Sequence, residues 1–266
     1  MMSFDKISAI FSAFNPQLAI THTERLHSGL SNDNFLVRTS NHGYLLKCYR
    51  EHWPVVGLAA QKKFAALSVC STPLWTDQAQ QIAIFEYIEG TTAKSELNHQ
   101  LISKLVQLHQ HSVLTEPMDI KYELDYYQST TLYEYYQGVI EHALARIYTF
   151  KKDLGFCHND LVKENIIEND TGVYLIDFEY AKSNDVYFDL AALAVSFKLN
   201  QKQKIDLLNV YQKKRSHSVD FHPSVDKLIC YEVVFLVLCI CWYSARNVDD
   251  KVTTLRAQLD DLISKM

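Results

Sequence analysis

Between residues 156 and 181 the chain reads FCHNDLVKENIIENDTGVYLIDFEYA, and three of its polar side chains stand at spacings that chemistry can use. Asp160 follows His158-Asn159, Asn165 comes five residues later, and Asp177-Phe178-Glu179 begins twelve residues after that. A carboxylate on a short loop can accept the proton of an attacking alcohol. An amide and a second carboxylate supply the hard oxygens that Mg²⁺ prefers when phosphates and water complete its octahedron. The pattern therefore points to phosphoryl transfer onto a hydroxyl group, with Asp160 as base or substrate-orienting carboxylate and Asn165 and Asp177 as metal ligands. The competing reading is a polar hairpin in which the same Asp and Asn residues serve only turns.

Such groups need a scaffold, and the flanking sequence describes one. Phe4, Ile7, Ile10, Phe11 and Phe14 recur at helical spacing before Pro16. Two strand-like runs, 34–39 and 44–49, flank the turn signal Ser40-Asn41-His42-Gly43. A helix over 56–69 and strands over 73–76 and 81–87 follow, and Gly90-Thr91-Thr92 marks a break. Helical spacing then covers 97–111 and 126–148. Strand texture returns over 155–177, with a turn at Asn169-Asp170-Thr171-Gly172, and helices are predicted over 189–197, 201–213, 225–244 and 248–265. The expected fold class is α+β in two lobes, a small β-rich lobe over 1–89 and a larger helical lobe over 90–266.

Composition narrows the partners. Of 266 residues only 7 are Gly, against 32 aromatic rings, so glycine-rich phosphate loops of the G-x-G-x-x-G type are excluded. A net charge of −5 offers no basic stripe for nucleic acid. The six cysteines form no C-x-x-C pair and sit mostly in apolar runs, as in a reducing compartment. The longest apolar run, Val233 to Tyr243, is eleven residues, short of the ~20 a bilayer requires. With Asp5 and Lys6 interrupting the first apolar stretch, a cytoplasmic location without a membrane span is expected. Oligomeric state has no signal here.

The 156–181 segment resembles the aminoglycoside phosphotransferase and choline kinase superfamily of small-molecule kinases, and the likeness extends from about Leu26 to Tyr243. Asn159, and Glu179-Tyr180 after Asp-Phe, look more like choline and ethanolamine kinases than antibiotic kinases. The stretch from Ile176 to Ala192 is similar to thiamine kinase as well. The resemblance implies a bilobal protein-kinase-like fold, ATP and Mg²⁺ as cofactors, and transfer of the γ-phosphoryl group to a small cationic alcohol: choline, ethanolamine or thiamine. It assigns Lys47 to the third-strand lysine on the phosphates, Ser31 and Asn32 to the nucleotide-covering loop (with Ser28 where relatives have glycine), and the Glu86 carbonyl and Ile88 N–H to adenine. Asp189 matches an aspartate that supports the catalytic loop from the next helix, a role compatible with the plain helix cap that is the other reading.

Departures from the pattern accompany the match. Gln61 stands where kinases have the helical glutamate that orients the strand lysine, so either Glu51 substitutes or Lys47 is held otherwise. Lys163 is one position later than the protein-kinase lysine. Three roles fit Glu179: assisting the metal, contacting a cationic substrate, or capping the next segment. Asp160, Glu179, Tyr180 and Trp242 are the implied acceptor contacts, Trp242 through cation–π attraction, against the alternative that Trp242 and Tyr243 are core. His109 and His111 are read as a solvated helix end, and Cys239 and Cys241 as core. A kinase of another alcohol (aminoglycoside, homoserine or sugar) and a nucleotide-binding pseudokinase scaffold remain the other readings.

Overall fold

The computed structural model describes residues 2–26, 29–94, 97–111, 115–215 and 221–266. The chain forms α1 (Phe4–Phe14), β1 (Ile20–Leu26), β2 (Asn32–Thr39), β3 (Gly43–Tyr49), α2 (Val55–Ala65), β4 (Pro73–Asp77), β5 (Ile82–Glu86) and β6 (Thr91–Thr92). It continues with α3 (His99–His109), α4 (Ile120–Asp125), α5 (Thr131–Ile147), β7 (Leu154–Cys157), a 3-10 turn (Lys163–Asn165), β8 (Ile166–Asn169), β9 (Gly172–Leu175) and β10 (Lys182–Asp185). Four helices close it: α6 (Tyr187–Ser196), α7 (Gln201–Lys214), α8 (Val225–Ser244) and α9 (Asp249–Ile263).

Two compact units result, one of residues 1–91 with 167–179 and one of 92–166 with 180–266. This division differs from a single cut at residue 89, because the stretch carrying Asp177 and Glu179 packs with the first unit. There an antiparallel sheet runs in the order β1-β2-β3-β5-β4. Alternation along β3 sends Tyr44 and Leu46 into a core with Ile7, Ile10 and Phe11 of α1. It sends Leu45 and Tyr49, and hence Lys47 between them, to the opposite face, where Leu58 of α2 packs.

Three elements differ from the sequence-based expectation. Strand β1 was not expected because four of its seven residues are exposed at the sheet edge and none is buried, leaving no alternating apolar signal. The β10 stretch Lys-Ser-Asn-Asp has no strand-like side chains either, yet pairs with β7 from Lys182↔Cys157 to Asp185↔Leu154. The helix expected over 126–148 is α5 alone: it starts only at Thr131, where Thr130 caps it by accepting the Tyr133 N–H, and the unexpected α4 ends before it at Asp125, leaving a break between the two. The tyrosines on both sides of that break mimic unbroken helical spacing.

Gly57 shows why one of the few glycines is indispensable. A Cβ there would lie 2.0 Å from the Phe178 carbonyl oxygen, so α2 rests directly on the backbone of the Asp-Phe-Glu segment. Gly57→Ala must push the two apart, and overpacking of this kind costs about 1–3 kcal/mol. Its melting temperature is expected to fall by roughly 2–10 °C by calorimetry. Gly138→Ala, at an exposed α5 position with nothing within 4 Å, is expected to leave stability unchanged or raise it by up to about 1 kcal/mol.

Candidate active site

In the first unit the ammonium of Lys47 is buried, and a buried cation needs counter-charge. Asp177 supplies it through a direct ion pair, and Glu179 Oε2 stands 3.7 Å away. The Tyr49 ring flanks the same ammonium at 5.0 Å. Glu179 also accepts a hydrogen bond from the Asn32 amide, which ties the start of β2 to the Asp-Phe-Glu segment. Arg50 stabilises the preceding loop: its guanidinium donates to the carbonyls of Ser31 (3.2 Å) and Leu30 (2.9 Å), and its N–H donates to Asn32 Oδ1 (3.4 Å). Ser28 lies outside the described residues.

The Asp-Phe-Glu segment is aimed by its middle residue. Phe178 is buried and stacks on Phe64 of α2 at 6.2 Å, which directs its acidic neighbours toward β3. Asp177 has φ = +65°, a left-handed conformation unusual for a non-glycine residue and concentrated at functional sites. Here the partner of Lys47 becomes clear. Gln61 is buried, its backbone carbonyl accepting from Cys70 Sγ, and the carboxylates on Lys47 come from Asp177 and Glu179.

The second unit holds Asp160 and Asn165. Asn165 Nδ2 donates to both the carbonyl and the Oδ2 of Asp160, each at 2.8 Å. Both amide hydrogens are thus committed, and Oδ1 is the remaining acceptor. The loop before Asp160 hangs on Asp189: its two carboxylate oxygens accept the N–H groups of His158 (2.7 Å) and Asn159 (2.8 Å). Asn159, at φ = +64°, donates to the carbonyls of Tyr180 and Lys182 and accepts from Asn184. It staples the loop to the segment after Glu179.

His109 corrects the expectation of a solvated helix end. It is buried, with Nε2 3.0 Å from Asp189 Oδ2 and Nδ1 2.7 Å from the Tyr211 hydroxyl. Burial pushes its pKa down against the pull of Asp189, so the ring is neutral, donating from Nε2 and accepting the Tyr211 O–H at Nδ1. His109, Cys157 and Asp189 lie close enough to suggest a metal cluster. Both His109 nitrogens and both Asp189 oxygens are already used, and burial pushes the Cys157 thiol well up, so the trio is structural. Only the Leu-His end of α3 hinted at this, and a lone histidine at a helix end does not announce a partner eighty residues away.

The other expected contacts are placed as follows. Glu86 and Tyr87 donate their N–H groups to the carbonyls of Thr72 and Gly43, and the Ile88 N–H has no acceptor among the described residues. A hollow of about 310 Å³ adjoins Glu86–Glu89, with Cys70, Ser71 and Tyr174 among its other walls. Neither Lys47 nor Asp177 lines it, so it is not where phosphates would meet the lysine. Lys163 donates its N–H to Ser196 Oγ and stands its ammonium 4.8 Å from the Phe197 ring. Trp242 and Tyr243, at the end of α8, are half-buried and meet edge to face at 5.0 Å, so neither is sealed in the core.

Comparison with known proteins sets this arrangement in a family. A LicA homolog of Mycoplasma capricolum is 25% identical over 189 residues, covering 67% of this chain and 74% of that protein. A LicA homolog of Metamycoplasma hominis is 35% identical over 91 residues, but the match spans only about a third of either protein. Among solved structures, choline kinase LicA from Streptococcus pneumoniae superposes with a TM-score of 0.80 at 22% identity, over 98% of this chain and 99% of that one. A LicA structure in complex with AMP gives 0.74 at 21% identity, over 98% and 100%. These likenesses show a shared kinase-like fold. The sequence model of the phosphotransferase enzyme family matches residues 22–215, which is most of the chain and includes Lys47, Asp160, Asn165, Asp177 and Asp189. The chain belongs to the phosphotransferase enzyme family.

Proposed function

We propose that the protein transfers the γ-phosphoryl group of ATP, with Mg²⁺, to the hydroxyl of a small cationic alcohol of the choline, ethanolamine or thiamine type. The observation that carries this reading is the Asp160–Asn165 pair: a carboxylate fixed by its neighbour's amide at 2.8 Å, on a loop whose backbone is held by Asp189. A group that must meet a hydroxyl within hydrogen-bond reach needs this kind of fixation. Asp160 accepts the acceptor's proton or orients its hydroxyl. Lys47 holds nucleotide phosphate oxygens and meanwhile keeps Asp177 and Glu179 neutralised. Asn32 and Ser31 cover the phosphates, and the Glu86 carbonyl and open Ile88 N–H address adenine. AMP bound to the similar LicA supports an adenine nucleotide.

The donor set suits magnesium. Asn165 offers only its Oδ1, and Asp177 offers a carboxylate now paired with an ammonium that a phosphate would draw away. Mg²⁺ held there would neutralise charge on the transferring phosphates. Glu179, Tyr180 and Trp242 complete the proposed acceptor contacts, a carboxylate and aromatic rings being what holds an ammonium group. No helix among the described residues is long and apolar enough to cross a membrane. The six free cysteines, together with the use of ATP, support a cytoplasmic location.

A coupled ADP-release screen across choline, ethanolamine, thiamine, homoserine, sugars and aminoglycosides tests the reading. Alcohol-dependent release with one of the first three is expected. Release with only the others moves the acceptor class. No release with any alcohol, while ATP still binds, contradicts transfer and leaves a nucleotide-binding scaffold.

A further inference from the structure

Helix α8 ends in Trp242-Tyr243-Ser244, and the chain turns so that Arg246 folds back on it. The guanidinium carbon lies 3.7 Å from the centroid of the Trp242 ring, and Nη1 is 3.5 Å from the Trp242 carbonyl oxygen. A planar guanidinium stacked at contact distance on indole is a strong form of cation–π pairing. The negative end of α8 favours a cation at the same place.

The charge of Asp160 is felt at the neighbouring ring. Tyr243 meets Trp242 edge to face, and its phenol is pushed up by burial and by Cys239, Asp160 and Glu164 nearby. Tyr127 is a third ring, its phenol pushed up to about 12 by burial against the opposing pull of Arg246. The Trp242 ring thus already holds a cation, and it is the chain's own, while the Lys251 ammonium stands 5.9 Å from the Tyr243 ring.

We infer that Arg246 is a specificity-determining residue: it occupies the Trp242 face that an acceptor's ammonium group requires, so the acceptor binds there only by displacing it. This rests on the cationic-alcohol reading above. The open form is a fraction of the population, and the apparent dissociation constant for an ammonium ligand rises by the inverse of that fraction. A cationic acceptor is thereby held more weakly than the rings alone would hold it. One that carries its charge compactly enough to replace a guanidinium is favoured over one that does not.

The test uses the full chain with Arg246→Met, which keeps the stem but not the charge, and Arg246→Lys, which keeps the charge but not the plane. Tetramethylammonium, which cannot be phosphorylated, is titrated by calorimetry, and KM and kcat are measured for the accepted alcohol. Arg246→Met is expected to tighten tetramethylammonium at least fivefold and to lower the acceptor KM by a similar factor, with the KM for ATP within twofold. Arg246→Lys should fall between it and the unaltered protein, and adding Trp242→Ala should abolish the gain. Unchanged or weaker tetramethylammonium binding by an Arg246→Met protein of unaltered melting temperature overturns the inference. If that binding tightens but no cationic alcohol is phosphorylated, the inference stands and the acceptor assignment fails.

Discussion

Asp160→Ala is expected to lower turnover by at least about a thousandfold while nucleotide affinity stays within a fewfold of the unaltered protein. The backbone of the preceding loop hangs on the Asp189 carboxylate, whereas the Asp160 side chain is the acceptor of one Asn165 amide hydrogen. Its removal therefore leaves the loop suspended. The Asn165 amide also keeps its bond to the backbone carbonyl of residue 160, so the Oδ1 proposed as a metal ligand is not released to rotate freely. What disappears is the group proposed to meet the acceptor's hydroxyl. Single-turnover measurements with saturating alcohol, beside nucleotide titration, separate the two effects. Turnover reduced less than tenfold would remove Asp160 from the chemistry.

Asp177→Ala should act on the other half of the reaction. Asp177 neutralises Lys47 before nucleotide arrives and, in the proposed complex, holds Mg²⁺ against the phosphates. Without it, Mg²⁺ should no longer strengthen nucleotide binding, whereas binding in chelator should change little, because Glu179 and Asn32 remain near Lys47. The Mg²⁺-dependent gain in ATP affinity is expected to fall from tenfold or more to less than twofold, about 1.4 kcal/mol for each factor of ten. Calorimetric titration of ATP with and without Mg²⁺ reads this directly. A full Mg²⁺ effect in Asp177→Ala would place the metal ligand elsewhere.

These two expectations draw on residues of very different legibility. Asp160, Asn165 and Asp177 stood out in the sequence because their proposed roles depend on short spacings within one segment of 26 residues. Lys47 was readable because the turn before Gly43 fixes which residues of β3 share a face. Its counter-charges were not, since Asp177 lies 130 positions away and a sequence search for the partner looks first to the helix at Gln61. The same limit hid His109, whose meaning depends on Asp189 and Tyr211 arriving from α6 and α7. Arg246 was missed for a different reason. Trp242 was weighed as core or as an ammonium wall, but an i, i+4 cation beyond the helix end already satisfies it. Strands β1 and β10 were illegible because polar strands are defined by the backbone partners they meet.

Glu179 joins these levels. Its carboxylate is anchored by Asn32 and faces Lys47, so beside the three roles read from the sequence the structure adds a fourth, linking the β2 entrance to the Asp-Phe-Glu segment. A low glycine count is compatible with this design. Arg50 holds the loop before β2 through its side chain and Asn32 ties the start of β2 to Glu179, where glycine-rich loops use bare backbone.

The most direct measurement is phosphorus NMR of a reaction containing the protein, ATP, Mg²⁺ and the acceptor found by ADP release. The account predicts that the γ-phosphate signal of ATP is replaced one for one by a phosphomonoester of that alcohol, and that excess chelator stops the conversion. Inorganic phosphate as the sole product, or conversion undiminished by chelator, would contradict it.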